Sequence, residues 1–210
     1  KMQALKGVRV LDLTRVLAGP WSSQILADLG AEVYKIERPG HGDDSRGWGP
    51  PFLKDKFGMP TKDSAYYLSA NRNKQSITCD ISQPSGQAII KDLVKHCDIF
   101  MENFKVGDMK RYSLDFPSIS SLNPKIVYCS ITGFGQTGPY RDLPGYDMVV
   151  QAMGGLMSVT GEPQGEPQKV GIAVADLFTG MYATVGILAA LRHAEATGQG
   201  QHIDIALLDT

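Results

Sequence analysis

Residues 170–191, VGIAVADLFTGMYATVGILAAL, carry a single charge, Asp176, in an otherwise apolar or small-residue run. From Leu177 onward Leu177, Met181, Val185, Leu188 and Leu191 recur at helical spacing, which predicts a helix burying that face. A lone carboxylate in such surroundings is costly, because desolvation disfavours its charged form. Two readings follow for Asp176. It is either the N-cap of the helix, accepting bonds from the first free backbone N–H groups, or a weakly solvated nucleophile of the kind that forms covalent acyl intermediates. The readings are compatible, since a helix N-terminus stabilises an anion without hydrating it.

The run is long enough to raise the question of a membrane span. Its charge, two threonines and three glycines argue instead for a core helix, and no signal peptide precedes it. With 210 residues, 42% of them hydrophobic, and a net charge of −1, the chain has the balance of a soluble domain. That balance excludes bulk nucleic-acid affinity while leaving room for a local phosphate site. Cys79, Cys97 and Cys129 lack CxxC spacing and read as reduced core thiols of a cytoplasmic-type protein. The histidines (His41, His96, His193, His202) are scattered, so no metal is expected. Lys1 stands ahead of Met2 as an added residue would before a native start. The chain stops at what reads as a strand exit, so it is expected to be part of a longer one.

Apolar runs at 8–13, 31–37, 76–81, 99–103 and 125–132 predict strands. Between them, a helix follows Gly19-Pro20 and ends at Gly30, with Trp21, Ile25, Leu26 and Leu29 on its face. A second opens at Ser82 and Pro84, burying Ile89, Ile90, Leu93, Val94 and Cys97. The alternation predicts an α/β domain with a mainly parallel sheet. The long polar stretch from Arg38 to Lys74 reads as a functional loop. Ligands of such sheets bind at the carboxyl ends of the strands, here followed by TRVLAGP, ERPG, ENF and TGFGQTGP. Gly133, Gly135 and Gly138 spell G-x-G-x-x-G, but Pro139 and Pro144 follow and no helix opens. A dinucleotide fingerprint is therefore disfavoured, whereas a loop whose backbone approaches a ligand is expected. Arg15, Arg38, Arg72, Lys74, Lys105, Lys110 and Arg111 lie near predicted strand ends. They are either solvated surface or a set of loop cations converging on phosphate groups, and spacing does not decide between these.

Together, LKGVRVLDLTRVLAGP (5–20), LGAEVYKIERPGHGDDSRGWGPP (29–51), NRNKQSI (71–77), ENF (102–104), SITGFGQTGPY (130–140), PGYD (144–147) and GIAVADLFTGMYA (171–183) resemble the class III coenzyme A transferase family, which includes formyl-CoA transferase and α-methylacyl-CoA racemase. The GDDSRGWGPPF and GQTGPY pieces are most similar to its succinyl-CoA–dicarboxylate, glutarate-type members. The resemblance implies a Rossmann-like large domain over 1–197, with 198–210 beginning a connection toward a small second domain not present here. It places the catalytic aspartate on Asp176. Coenzyme A contacts fall on Val16, Leu17, Ala18, Arg38, Arg72, Asn73, Lys74, Asn103, Phe104, Arg111, Thr132, Gly133, Phe134 and Gly135. Arg38, Lys74 and Arg111 are expected to converge on its nucleotide end. Acyl-CoA and carboxylic acids would be the substrates, without metal, nucleic acid or membrane. The molecule would be an interlocked homodimer in the cytoplasm, or in the mitochondrial matrix of a eukaryote. The racemases of the family carry a histidine where this chain has Tyr146 in Gly145-Tyr146-Asp147. Tyrosine is a poor base near neutrality, so transfer is the favoured activity, with racemisation or an inactive CoA-binding fragment as alternatives. Val106 replaces a common family proline, and the glycine-rich loop that closes over the transferases' aspartate would lie beyond Thr210.

Overall fold

The computed structural model describes residues 3–210. Lys1 and Met2, and with them the expectation of an added residue, lie outside the described residues. The strands β1 (Arg9–Asp12), β2 (Glu32–Glu37), β3 (Phe52–Lys54), β4 (Pro60–Ser64), β5 (Lys74–Thr78), β6 (Ile99–Glu102), β7 (Val127–Thr132) and β8 (His202–Ala206) alternate with helices. The helices are α1 (Ala18–Asp28), α2 (Ala65–Ala70), α3 (Pro84–Val94), α4 (Asp108–Arg111), α5 (Phe116–Leu122), α6 (Asp147–Met153) and α7 (Val174–Thr197). Six strands form an all-parallel sheet in the order β5-β2-β1-β6-β7-β8. The chain works outward from β1 to β5 on one side, then crosses back to β6 and works outward on the other. The direction therefore switches between β1 and β6, where an open α/β sheet leaves a crevice at the strand carboxyl ends.

Period-two alternation fills both faces. Val10, Ile99, Met101, Val127, Cys129 and Ile131 point toward α1 and α7, while Leu11, Phe100 and Tyr128 point toward α3 and α5. The Phe100 and Tyr128 rings stack with centroids 4.8 Å apart. The three cysteines are free and buried.

The structure corrects several expectations. α7 turns a different face inward: Ala183, Ile187, Ala190, Leu191 and Ala194 are buried, whereas Met181 and Val185 are 49% and 61% exposed. Small residues explain this. A Cβ at Gly180 would sit 2.7 Å from the Ala18 carbonyl oxygen, so the glycine–alanine side of α7 is the side that can approach α1. α1 likewise starts earlier, at Ala18, and buries Ser22, Ser23, Gln24 and Leu26 while leaving Leu29 exposed. Ile89 of α3 faces out. β5 begins at Lys74 and ends at Thr78, not 76–81, because the chain turns at Asp80, where Gly86 packs directly on the Asp80 carbonyl. The Arg38–Lys74 stretch is not a plain loop: it holds the β3–β4 hairpin and α2. Residues 202–206, expected as part of a connection leaving the domain, complete the sheet beside β7, with Tyr128 opposite His202 and Thr132 opposite Ala206.

If α7 is held by its small-residue face, Ile187→Ala should cost about 2–5 kcal/mol in urea unfolding; a loss below about 1 kcal/mol would contradict this packing.

Candidate active site

The crevice at the switch point is built from buried charge. Lys35, inside β2, places its ammonium 2.8 Å from the Asp43 carboxylate and 2.9 Å from the Thr14 carbonyl oxygen. The same carboxylate accepts the backbone N–H of Val16 at 3.2 Å and those of Ser45, N–H and Oγ, at 3.0 and 2.7 Å. Val16 has φ of +72°, a left-handed conformation that a β-branched residue adopts only when its surroundings impose it. Here the imposing contacts are the Asp43 carboxylate and the Asn103 amide next door. Asn103 accepts from the Arg15 N–H at 3.0 Å and donates to the Arg15 carbonyl at 2.8 Å, stitching the loop after β1 to the loop after β6. Glu102 accepts the Phe104 N–H at 2.9 Å, and burial pushes its carboxyl up to about 7. Nearby, Arg46 binds Glu37 bidentately at 2.7 Å and also meets Asp63 and the Tyr67 hydroxyl. Burial alone would raise the Glu37 pKa, but bonds from Arg46, Ser76 and the Asp43 N–H bring it down to about 2.

Two adjoining recesses of about 330 and 320 Å³ open above this frame, each at the lower end of the small-ligand range. The first lies between Arg38, the Cys79–Ser82 turn, Phe104 and Tyr112. The second lies between Val16–Ala18, Asn103–Val106, Thr132-Gly133, Arg141–Tyr146 and Asp176. Arg15, Asp44 and Phe104 border both, so the recesses form one bent cleft. Arg15 sits at the bend with its guanidinium 4.8 Å above the Phe104 ring, and its buried Nε has no hydrogen-bond partner among the described residues.

Asp176 lines the second recess. α7 begins at Val174 with Ala173 as N-cap, so Asp176 lies within the first turn and is not the cap. The capping carboxylate is that of Asp147, which accepts the Asp176 N–H at 3.1 Å. The Asp176 side chain accepts no hydrogen bond and forms no ion pair among the described residues. Burial, followed by the negative charge of Asp147, pushes it up to about 7. The helix N-terminus favours the anion, and the two opposing influences outweigh it.

Of the residues expected to contact coenzyme A, Val16, Leu17, Ala18, Arg38, Asn103, Phe104, Thr132 and Gly133 line the cleft. Gly133 packs against Gly145 so closely that a Cβ on it would lie 2.3 Å from the Gly145 Cα, which fixes the floor beside Asp176. Phe134 packs on Tyr140, and Gly135 donates its N–H to Thr132 Oγ1, both just beyond the cleft wall. Arg111 reaches the rim indirectly, donating to the hydroxyl of Tyr112 at 2.8 Å. Arg72 and Asn73 do not reach it: both bind Asp28 at the end of α1. Lys74 does not converge with Arg38 and Arg111. It is the first residue of β5, and its buried ammonium binds the Pro20 carbonyl, Asn71 and Asp12. The expectation failed on the strand boundary, since the carboxyl end of β5 leads into Cys79–Ser82, which line the first recess instead. In the sequence Arg15 is one cation among several near strand ends, and the fold is what puts it between the two recesses. Asp43 and Pro144–Tyr146 fall inside segments that carry the family resemblance, whereas Tyr112 and Arg141–Leu143 carry no sequence signal beyond lying after strands.

Two outcomes test this frame. Asp43→Ala, which strands Lys35 without a counter-charge, should cost about 3–5 kcal/mol, measured by denaturant unfolding. The Glu37 contribution, with a folded pKa below the ordinary 4.5, is fully present above that pH and lost as pH falls toward about 2. Acid unfolding followed by circular dichroism should therefore be less steep over that window in Glu37→Gln; an unchanged slope would remove Glu37 from the frame.

The chain matches CoA-transferase family III over residues 5–210. It is 56% identical to the succinate–glutarate CoA-transferase of Agrobacterium fabrum across 98% of this chain and 51% of that protein. It is 49% identical to the succinyl-CoA:glutarate CoA-transferase of Homo sapiens across 100% of this chain and 46% of that one. The crystal structure of a CAIB/BAIF family protein from Brucella suis superposes with a TM-score of 0.94 at 49% identity, over all of this chain and 54% of that one. The chain thus spans about half the length of the relatives it matches. A parallel sheet with its cleft at the switch point and a half-buried aspartate at the head of α7 accompanies these likenesses, and the chain belongs to CoA-transferase family III.

Proposed function

We propose that the protein moves coenzyme A from an acyl-CoA thioester to a free carboxylic acid, a dicarboxylic one, through a covalent intermediate on Asp176. The observation that carries this reading is Asp176 itself: an unpaired, half-buried carboxylate lining a cleft of two recesses, in a chain of this family. A carboxylate without hydrogen-bond partners is a stronger nucleophile than a solvated one. It attacks the thioester carbonyl, the C–S bond breaks, and CoA thiolate leaves a mixed anhydride. The thiolate then attacks the Asp176 carbonyl, releasing the donor acid and leaving an aspartyl-CoA thioester. The acceptor carboxylate attacks that thioester, giving a second anhydride and thiolate. Attack of the thiolate on the acceptor's acyl carbon yields the new acyl-CoA and frees Asp176.

The first recess suits the nucleotide end, with Arg38 at its rim and the backbone of Cys79–Ser82 along one wall. Arginine offers phosphate two-point contacts that lysine cannot, and Arg15 at the bend has a donor to spare. Asn103, Phe104 and Val16–Ala18 would guide the connecting arm toward Asp176, while Arg111 supports the nucleotide side through Tyr112. Racemisation is disfavoured, because Tyr146, in the same recess as Asp176, stands where the family's racemases carry a histidine. The relatives' names support a dicarboxylate acceptor with succinyl-CoA as donor. The remainder of a longer chain would supply the small domain. Phe178, Met181, Tyr182 and Val185, exposed along α7, support an interlocked dimer that covers them. The cytoplasm, or the mitochondrial matrix in a eukaryote, is the proposed location.

Full-length protein mixed with succinyl-CoA and then hydroxylamine should carry its label on Asp176 by peptide mass analysis. Label elsewhere, or full activity in Asp176→Ala, would sink the mechanism. Because the working form is the anion, kcat/KM should rise with pH through about 7. Arg38→Ala should weaken CoA binding by about 1–3 kcal/mol, seen by calorimetry, and lose less with dephospho-CoA.

A further inference from the structure

We propose that Asp147 is a positioning residue for the nucleophile, one that pins the first turn of α7 and, as a fixed negative charge, keeps Asp176 basic. The inference rests on the reading of Asp176 as nucleophile. Asp147 is the first residue of α6, and one carboxylate oxygen accepts the Asp176 N–H at 3.1 Å. Its other oxygen accepts from Gln151 Nε2 at 2.5 Å. Gln151 is buried and spans the segment that leads into α7. Its Oε1 accepts the Val170 N–H at 2.8 Å, and its Nε2 lies 3.4 Å from the Ile172 carbonyl oxygen. The approach to α7 and its first turn are thus clamped to α6 by two side chains one helical turn apart.

The charge has its own consequence. The free N–H groups at the head of a helix stabilise an anion and so lower a carboxylate's basicity. Asp147 occupies one of those groups and sets a like charge beside Asp176. Nucleophilicity falls with basicity, as it does for attacking thiolates, so the clamp prevents the helix from blunting its own nucleophile. The other ionisable groups around Asp176 are Tyr66 on α2 and, along the walls of the same recess, Arg15, Asp44, Lys105, Arg141, Asp142 and Tyr146. Among the described residues none of these donates to or accepts from the Asp176 backbone or side chain, whereas Asp147 combines contact with charge.

The test is the pH dependence of hydroxylamine-trapped label on Asp176 in full-length protein given succinyl-CoA. Asp147→Asn keeps an oxygen for the Asp176 N–H, removes the charge and turns an amide N–H toward Gln151 Nε2, so it loses the Gln151 bond as Gln151→Met does and differs from that variant by the charge. Its acid limb should move to lower pH by about one unit, the small end of the shifts that a neighbouring charge causes. Gln151→Met keeps the charge and loosens the clamp, so its labelling rate should fall while the limb stays in place. An unmoved limb in Asp147→Asn overturns the inference, and so does an equal shift in Gln151→Met, which would make the effect one of packing. Absence of label on wild-type Asp176 overturns this inference together with the proposed mechanism. Label there with an unmoved Asp147→Asn limb overturns this inference alone.

Discussion

The cleft depends on the ion pair of Lys35 and Asp43. Both groups are buried at the end of β2, where an unpaired charge would be several kcal/mol out of balance. Their pairing is completed by hydrogen bonds that shape the loop above: Lys35 to the Thr14 carbonyl, and Asp43 from the Val16 N–H. Asp12, one strand over, repeats the device with Thr14, Ser23 and Lys74. Burial would raise the Asp12 pKa, yet the two lysines and two hydroxyls hold it below the usual carboxylate range. The loop from Leu13 to Leu17 is therefore fixed before any ligand arrives, including the left-handed Val16 at the cleft wall. A preorganised wall spares binding the cost of ordering it.

On that rigid frame, Asp176 receives opposed influences from its two neighbours in the chain's architecture. α7 offers it the positive end of a 24-residue helix. The half-closed cleft and the Asp147 carboxylate oppose ionisation more strongly. The outcome is a carboxyl group pushed up to about 7, which in the proposed mechanism suits a group that must be an anion to attack and a leaving group shortly afterwards. In the proposed reading the nucleotide end takes the recess of Arg38 and the reacting carboxylate lies at the other.

The strands were legible because a parallel sheet buried on both faces demands continuous apolar runs, and VRVLDL, IFMEN and KIVYCSIT are such runs. The position of the cleft followed from topology once the order of strands was known. What the sequence hid was governed by contacts distant in the chain. The inward face of α7 is decided by Gly180 meeting Ala18, so the larger residues Met181 and Val185, which give the clearest helical spacing, turn outward. Lys74 looked like a ligand cation, but its partner Asp12 lies in the core 62 residues earlier. Asp176 looked like its own cap until Asp147, from another helix, took that place. The resemblance singled out Asp176, and the structure shows what is unusual about that carboxylate: it is half-buried, beside Asp147, and without a hydrogen bond to its side chain among the described residues.

The most direct test of the account is a crystal structure of the full-length protein with succinyl-CoA bound to Asp176→Asn. The account predicts the adenine nucleotide between Arg38, Cys79–Ser82 and Tyr112, the connecting arm crossing Arg15 and Phe104, and the thioester carbon within contact of residue 176. A nucleotide held instead at Arg72 and Asn73 beside Asp28, or a thioester remote from residue 176, would contradict it.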